Sequence, residues 1–99
     1  MEKREPTREE QKRALIKDQC ARLEKLLASV ARIGTPVSPY LQDVGAIKRK
    51  ATLELSHVKL AALDDDLATL FSELKSVPAA DGEAIISPRR YELFFRSAL

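Results

Sequence analysis

Residues 39–77 read PYLQDVGAIKRKATLELSHVKLAALDDDLATLFSELKSV, and this stretch decides the fold. No proline interrupts it between Pro39 and Pro78. Its apolar residues recur every three or four positions, which predicts one continuous helix, about 57 Å long at a rise of ~1.5 Å per residue. The greasy face does not stay put. Val44, Ile47, Ala51, Leu55, Val58 and Ala62 form one stripe; Leu60, Leu63, Leu67, Leu70, Leu74 and Val77 form another. At 100° per residue the two stripes lie roughly 140° apart on the helix wheel. Two differently aimed apolar faces on one rod need two different surfaces to cover them. Gly45 is a mild flaw in the rod, about 1 kcal/mol against alanine, and a place for a bend or for close approach of another helix.

Upstream, residues 7–33 read as a first helix behind a charged tail at 1–6. Thr7 followed by Glu10 has the spacing of a capping box, in which each satisfies an otherwise orphaned amide of the first turn. Ile16, Cys20, Leu23, Leu27 and Val30 are spaced four, three, four, three, which is a coiled-coil seam, and Leu15, Leu26 and Ile33 widen it. Gly34 is placed to end the helix in the left-handed conformation, and Pro36 prevents it from resuming. Ser38 followed by Pro39 predicts an N-cap with proline at the first helical position. The fold class expected is therefore all-α: an elongated antiparallel helical hairpin, coiled-coil-like, with a short third helix at the C-terminal end. The first helix is too short to cover the second along its length. It reaches back to around residues 60–66, so most of the second stripe is expected to lack a partner within the chain.

Downstream, residues 79–82 read as a linker. Ser87-Pro88 repeats the Ser-Pro opening, and a C-terminal amphipathic helix is expected over 83–99. Tyr91, Phe94, Phe95 and Ala98 fall on one face of it. Three of the chain's five aromatics are gathered there, either to fold back on Leu70, Phe71 and Leu74 or to dock on a partner.

Composition narrows the function. The chain has 99 residues, 17 basic and 15 acidic side chains, a formal net charge of +2 and three glycines. A near-neutral balance does not call for nucleic acid or an anionic membrane. The lone Cys20 cannot form an internal disulfide and reads as a small buried hydrophobe. His57, the only histidine, lies on the polar stripe with Lys50, Glu54 and Asp64 and has no ligand partners at metal spacing. With three glycines there is no phosphate-cradling loop, and no nucleophile elbow or Cys-His arrangement appears. No enzyme activity, cofactor or metal is expected. Asp64, Asp65 and Asp66 fan across the helix rather than converge, which reads as a solvated acidic surface; the alternative is an electrostatic contact with a basic partner or with the basic start of the first helix, Arg8, Lys12 and Arg13.

No apolar run approaches the ~20 residues needed to span a bilayer. Residues 1–13 lack an apolar core for a secretory signal, and Glu2, Glu5, Glu9 and Glu10 argue against a transit peptide. A cytoplasmic or nuclear location is expected. The expected function is that of a helical adaptor or scaffold subunit in a multi-protein complex. Its partners are other helical chains, with a hetero-complex favoured over a homo-oligomer. The partner-binding residues expected are Leu60, Leu63, Leu67, Leu70, Phe71, Leu74, Val77, Tyr91, Phe94 and Phe95. The alternative is a small nucleic-acid-associated protein. It would contact phosphates through Lys48, Arg49 and Lys50, helped by the element Ser87-Pro88-Arg89-Arg90. Ser87-Pro88 also has the form of a proline-directed phosphorylation site. The 88–99 segment has the ingredients of a membrane-surface helix but is too short to bind lipid strongly, so a membrane partner is not expected.

Overall fold

A computed structural model describes residues 7–53 and 56–96. The charged tail at 1–6, Glu54, Leu55 and residues 97–99 lie outside the described residues, together with the expectations that fall on them. The described chain is helical: α1 (Arg8–Arg32), α2 (Ser38–Ala51), α3 (His57–Leu74) and α4 (Pro88–Tyr91), the last running on into a π-helical turn, Glu92–Arg96. The first three helices all touch one another, and the π-helical turn packs on α1.

The ends of α1 follow their local chemistry. Thr7 Oγ1 accepts the Glu10 amide at 3.1 Å, which supplies the cap that Thr7 and Glu10 predict. At the other end Gly34 has φ +99°. Its amide bonds Ala31 O at 3.1 Å, and the Thr35 amide bonds Val30 O at 3.1 Å. This pair of bonds is the Schellman arrangement, and it closes the carbonyl end of the helix. The start of α2 differs from expectation. Val37, not Ser38, is the N-cap; Ser38 and Pro39 already lie inside the helix, and no side chain caps it.

The single helix expected over 39–77 is two helices. The amides of Thr52 and Leu53 turn in to Arg49 O and Lys50 O, three residues back, at 3.2 Å each. Thr52 Oγ1 donates to Arg49 O at 2.6 Å. A side chain that bonds a nearby carbonyl competes with the helical ladder and favours its end. Ser56 then opens α3 by accepting the Lys59 amide. The physical reason for the break is the pair of stripes. A straight rod points them in two directions, whereas a broken one turns both onto a single core. Val44, Ile47 and Ala51 from the first stripe are buried. Leu60, Leu63, Leu67, Leu70 and Leu74 from the second are buried with them. Val58 and Ala62, assigned to the first stripe by periodicity, stand in solvent, with Val58 76% exposed.

This overturns the leftover-stripe argument. The five leucines are covered by α1, α2 and the chain beyond α3, so they are core and not a partner face. On α1 the seam Ile16, Cys20, Leu23, Leu27 and Val30 is buried along with Leu26, while Leu15 and Ile33 are exposed. Gly45 marks no close approach between helices: the nearest atom to a Cβ placed there is its own helix neighbour, Arg49 Nη1, at 3.4 Å. The described chain measures 51 × 28 × 18 Å.

The segment between α3 and α4 is more than a linker. Ile86 N bonds Leu74 O at 3.1 Å, Ile85 N bonds Val77 O at 2.8 Å, and Ala79 N bonds Glu83 O at 2.7 Å. Gly82 turns the chain at φ +88°. Ala79, Ile85 and Ile86 plug the end of the core. The expected C-terminal helix begins only at Pro88, as α4, so the part of the expected 83–99 helix from 83 to 87 is irregular chain. Ser87 caps it by accepting the Arg90 amide at 3.1 Å, with Pro88 in the first turn, as the Ser-Pro opening predicts.

Candidate interaction surface

The C-terminal aromatics fold back on the body of the molecule. Phe94 and Phe95 are half-buried against the core, as are Phe71 and Val77. The Phe95 ring meets Phe71 edge-on at 5.2 Å and stacks on Tyr91 at 5.1 Å. Such ring pairs add about 0.5–1.5 kcal/mol beyond the area they bury. Arg22 on α1 donates through Nη1 to Phe94 O at 3.2 Å and through Nε to Asp18 at 2.8 Å. One guanidinium thereby ties the π-helical turn to α1.

A second tie holds the chain just before α4. Arg90 is only 4% exposed. Its guanidinium donates to Ala84 O at 2.7 Å and forms a close ion pair with Asp81. Outside this clasp Arg89 pairs with Glu83 at 2.8 Å, and that bond holds the Glu83 carboxyl below its ordinary range. A third tie links the two loops at this end: buried Thr35 accepts the Ala80 amide through Oγ1 at 2.8 Å.

Of the ten residues expected to bind a partner, the five leucines are inside and four are half-buried. Tyr91 is the one that is exposed, at 39%. It stands between two open clefts. The first, about 360 Å³, lies between α1, α3 and the π-helical turn, with Gln19, Leu67, Ala68, Phe71 and Phe95 in its lining. The second, about 490 Å³, lies against Ala84, Ile86 and Pro88. Lys75 and Tyr91 line both. Neither Lys75 nor the plug of Ile85 and Ile86 was marked by the periodicity. The two isoleucines form an apolar pair just ahead of Ser87-Pro88, and that pair was the signal that could have found the plug.

The basic cluster is not one patch. Lys48 is bound to Glu24 at 2.9 Å, while Arg49 and Lys50 are exposed. Lys50 shares a third cleft with Asp43, Asp66 and Glu73. The acidic run does meet the basic start of α1: Lys12 Nζ lies 3.4 Å from Asp64. Both groups are partly exposed, so the pair contributes at most about 1 kcal/mol. His57 is exposed, and among the described residues no group of three His, Cys, Asp or Glu side chains is placed to hold a metal ion. Cys20 is fully buried, and burial, seconded by the nearby Glu24 carboxylate, pushes its thiol up to about 11. No helix among the described residues is long and apolar enough to cross a membrane. Comparison with known proteins gives no match: no family model, characterised protein or solved structure resembles the chain significantly.

Proposed function

We propose that this chain is a non-enzymatic helical adaptor or structural subunit of a multi-protein complex, acting in the cytoplasm or nucleus. Its surface for partner helices is the C-terminal aromatic face, with Tyr91 at the centre and Phe71 and Phe95 beside it. The second half of the original stripe serves that surface from below, as the floor on which the aromatics rest. The observation that carries the reading is the exposure of Tyr91 between two open clefts, one mixed in polarity and one mainly apolar. A tyrosine stacked on Phe95 with a cleft on either side has the features of a binding hot spot.

The antiparallel pairing of α1 with α2 and its coiled-coil character belong to the same proposal. The Lys48–Glu24 bridge and the burial of the α1 seam support them. A hetero-complex is favoured over a homo-oligomer. The test is sedimentation of the chain with a complex reconstituted from its host. Tyr91→Asp is expected to release the chain from the complex while its own helical content stays unchanged. A Tyr91→Asp chain that still assembles at full stoichiometry sinks the proposal.

The nucleic-acid reading rests on Arg49 and Lys50, which are exposed and unpaired among the described residues. Two cations neutralise few phosphates, so binding would be weak and would fall with salt by about two powers at most. A low-salt gel shift with no retained fraction removes it.

A further inference from the structure

The two clefts beside Tyr91 are adjacent, and together they make one composite surface. Its apolar parts are Leu67, Phe71 and Phe95 on one side and Ile86 and Pro88 on the other. Most of its charges already have partners. Asp64, at one end, is bound by Lys12 at 3.4 Å. Glu92 and Arg96, at the other, bind each other at 2.8 Å. Lys75 is the exception. It is exposed, it lines both clefts, and among the described residues its ammonium makes no ion pair or hydrogen bond. Lys75 follows α3 directly, where the carbonyl end of the helix favours a cation without forming an ion pair with it. Its side chain is the unpaired charge in the lining of both clefts.

We infer that the Tyr91 ridge docks an acidic amphipathic segment of a partner chain, with large apolar side chains in the two clefts and a carboxylate between them on Lys75. This inference rests on the adaptor reading and adds to it the chemistry of the partner. Charge complementarity selects the occupant. A purely apolar segment would cover Lys75 without compensating it, and a basic one would meet a like charge. A helix carrying Asp or Glu three or four residues from Leu, Ile or Phe satisfies both clefts and the cation together.

The probe is a displayed library of random peptides of about 16 residues, roughly four helical turns, selected on the intact chain. The selected peptides are then measured by fluorescence anisotropy at about 0.1 M and about 1 M salt, where the screening length falls from roughly 10 to 3 Å. The selected sequences are expected to be enriched in an acidic residue flanked at helical spacing by large apolar ones. Lys75→Glu is expected to weaken them about tenfold at low salt, Lys75→Gln less, and both losses should shrink at high salt. Tyr91→Ala is expected to weaken them about tenfold or more at both salts. Lys25→Glu, on the exposed side of α1, is the control and should change nothing. Thermal melts check that each variant is folded, and Lys75→Gln serves if Lys75→Glu is not. Peptides without acidic enrichment, or affinity indifferent to both Lys75 variants but lost with Tyr91→Ala, overturn this inference and leave the adaptor reading standing. No selectable peptide, or none sensitive to Tyr91→Ala, overturns both. A concentration-dependent dimer broken by Tyr91→Ala would make the occupant a second copy and overturn the acidic partner.

Discussion

A guanidinium taken out of water must find acceptors, and Arg90 finds two. Asp81 supplies charge and Ala84 O supplies a further lone pair. Removing the carboxylate leaves the buried cation with a carbonyl alone. Asp81→Ala is therefore expected to cost about 2 kcal/mol, below the full penalty for a severed buried pair because Asp81 is itself partly exposed. For a domain of this size that is a drop in melting temperature of about 10 °C, read by circular dichroism. Cys20 gives a second test at the same scale. Burial keeps its thiol protonated up to about pH 11 in the folded chain, against an ordinary value of 9.0. The raised value means that this contribution to stability is complete below pH 9 and is lost as pH rises from 9 to 11. The native chain is accordingly expected to react with a disulfide reagent at pH 8 at least about a hundredfold more slowly than the urea-unfolded chain. Equal rates would show that Cys20 is open.

At the scale of elements, the helix ends at Thr7, Gly34 and Ser87 were legible, whereas the start of α2, where Ser38 is not the cap, and the break were not. Thr7, Gly34 and Ser87 announce helix ends through chemistry that acts within a few residues, and all three act where expected. The interruption at 52–56 has no proline or glycine to announce it. It follows from a non-local demand, that two stripes on different sides of one rod share a core. The stripes themselves carried that information, but a straight helix was the simpler extrapolation from periodicity. The same error assigned five core leucines to a partner. The cluster of Tyr91, Phe94 and Phe95 was legible because aromatic clustering is local, whereas Lys75 comes to line the clefts beside Tyr91 only in the folded chain. The glycine that follows α1 and the glycine inside α2 answer opposite backbone demands. Gly34→Ala places a side chain at φ +99° and is expected to destabilise by about 1 kcal/mol. Gly45→Ala sits within a helix, beside only the movable end of Arg49, and is expected to stabilise by about 0.5–1 kcal/mol. Urea midpoints moving in opposite directions would confirm the contrast.

For the whole molecule, the second stripe is what holds three helices and the C-terminal segment together. Leu67 is almost wholly buried and also floors the aromatic cleft. Leu67→Ala is expected to cost about 2–5 kcal/mol, a large share of the ~5–15 kcal/mol typical of a small domain. The loss should appear in urea unfolding of the isolated chain, with no partner present. If the variant were as stable as the original chain, Leu67 would not be core, and the leucine stripe would return as a candidate contact.

The ties that fasten the C-terminal end span long stretches of chain. Thr35 reaches Ala80 across 45 residues, and Arg22 reaches Phe94 across 72. Closing such loops costs entropy before any contact repays it, so these links belong late on the route from the disordered state. Weakening Arg22 or Thr35 should thus leave the refolding limb of a chevron plot nearly unmoved and steepen the escape from the native state. The C-terminal end, where the proposed partner surface lies, is then expected to be the latest part of the fold to be built and the earliest to be lost.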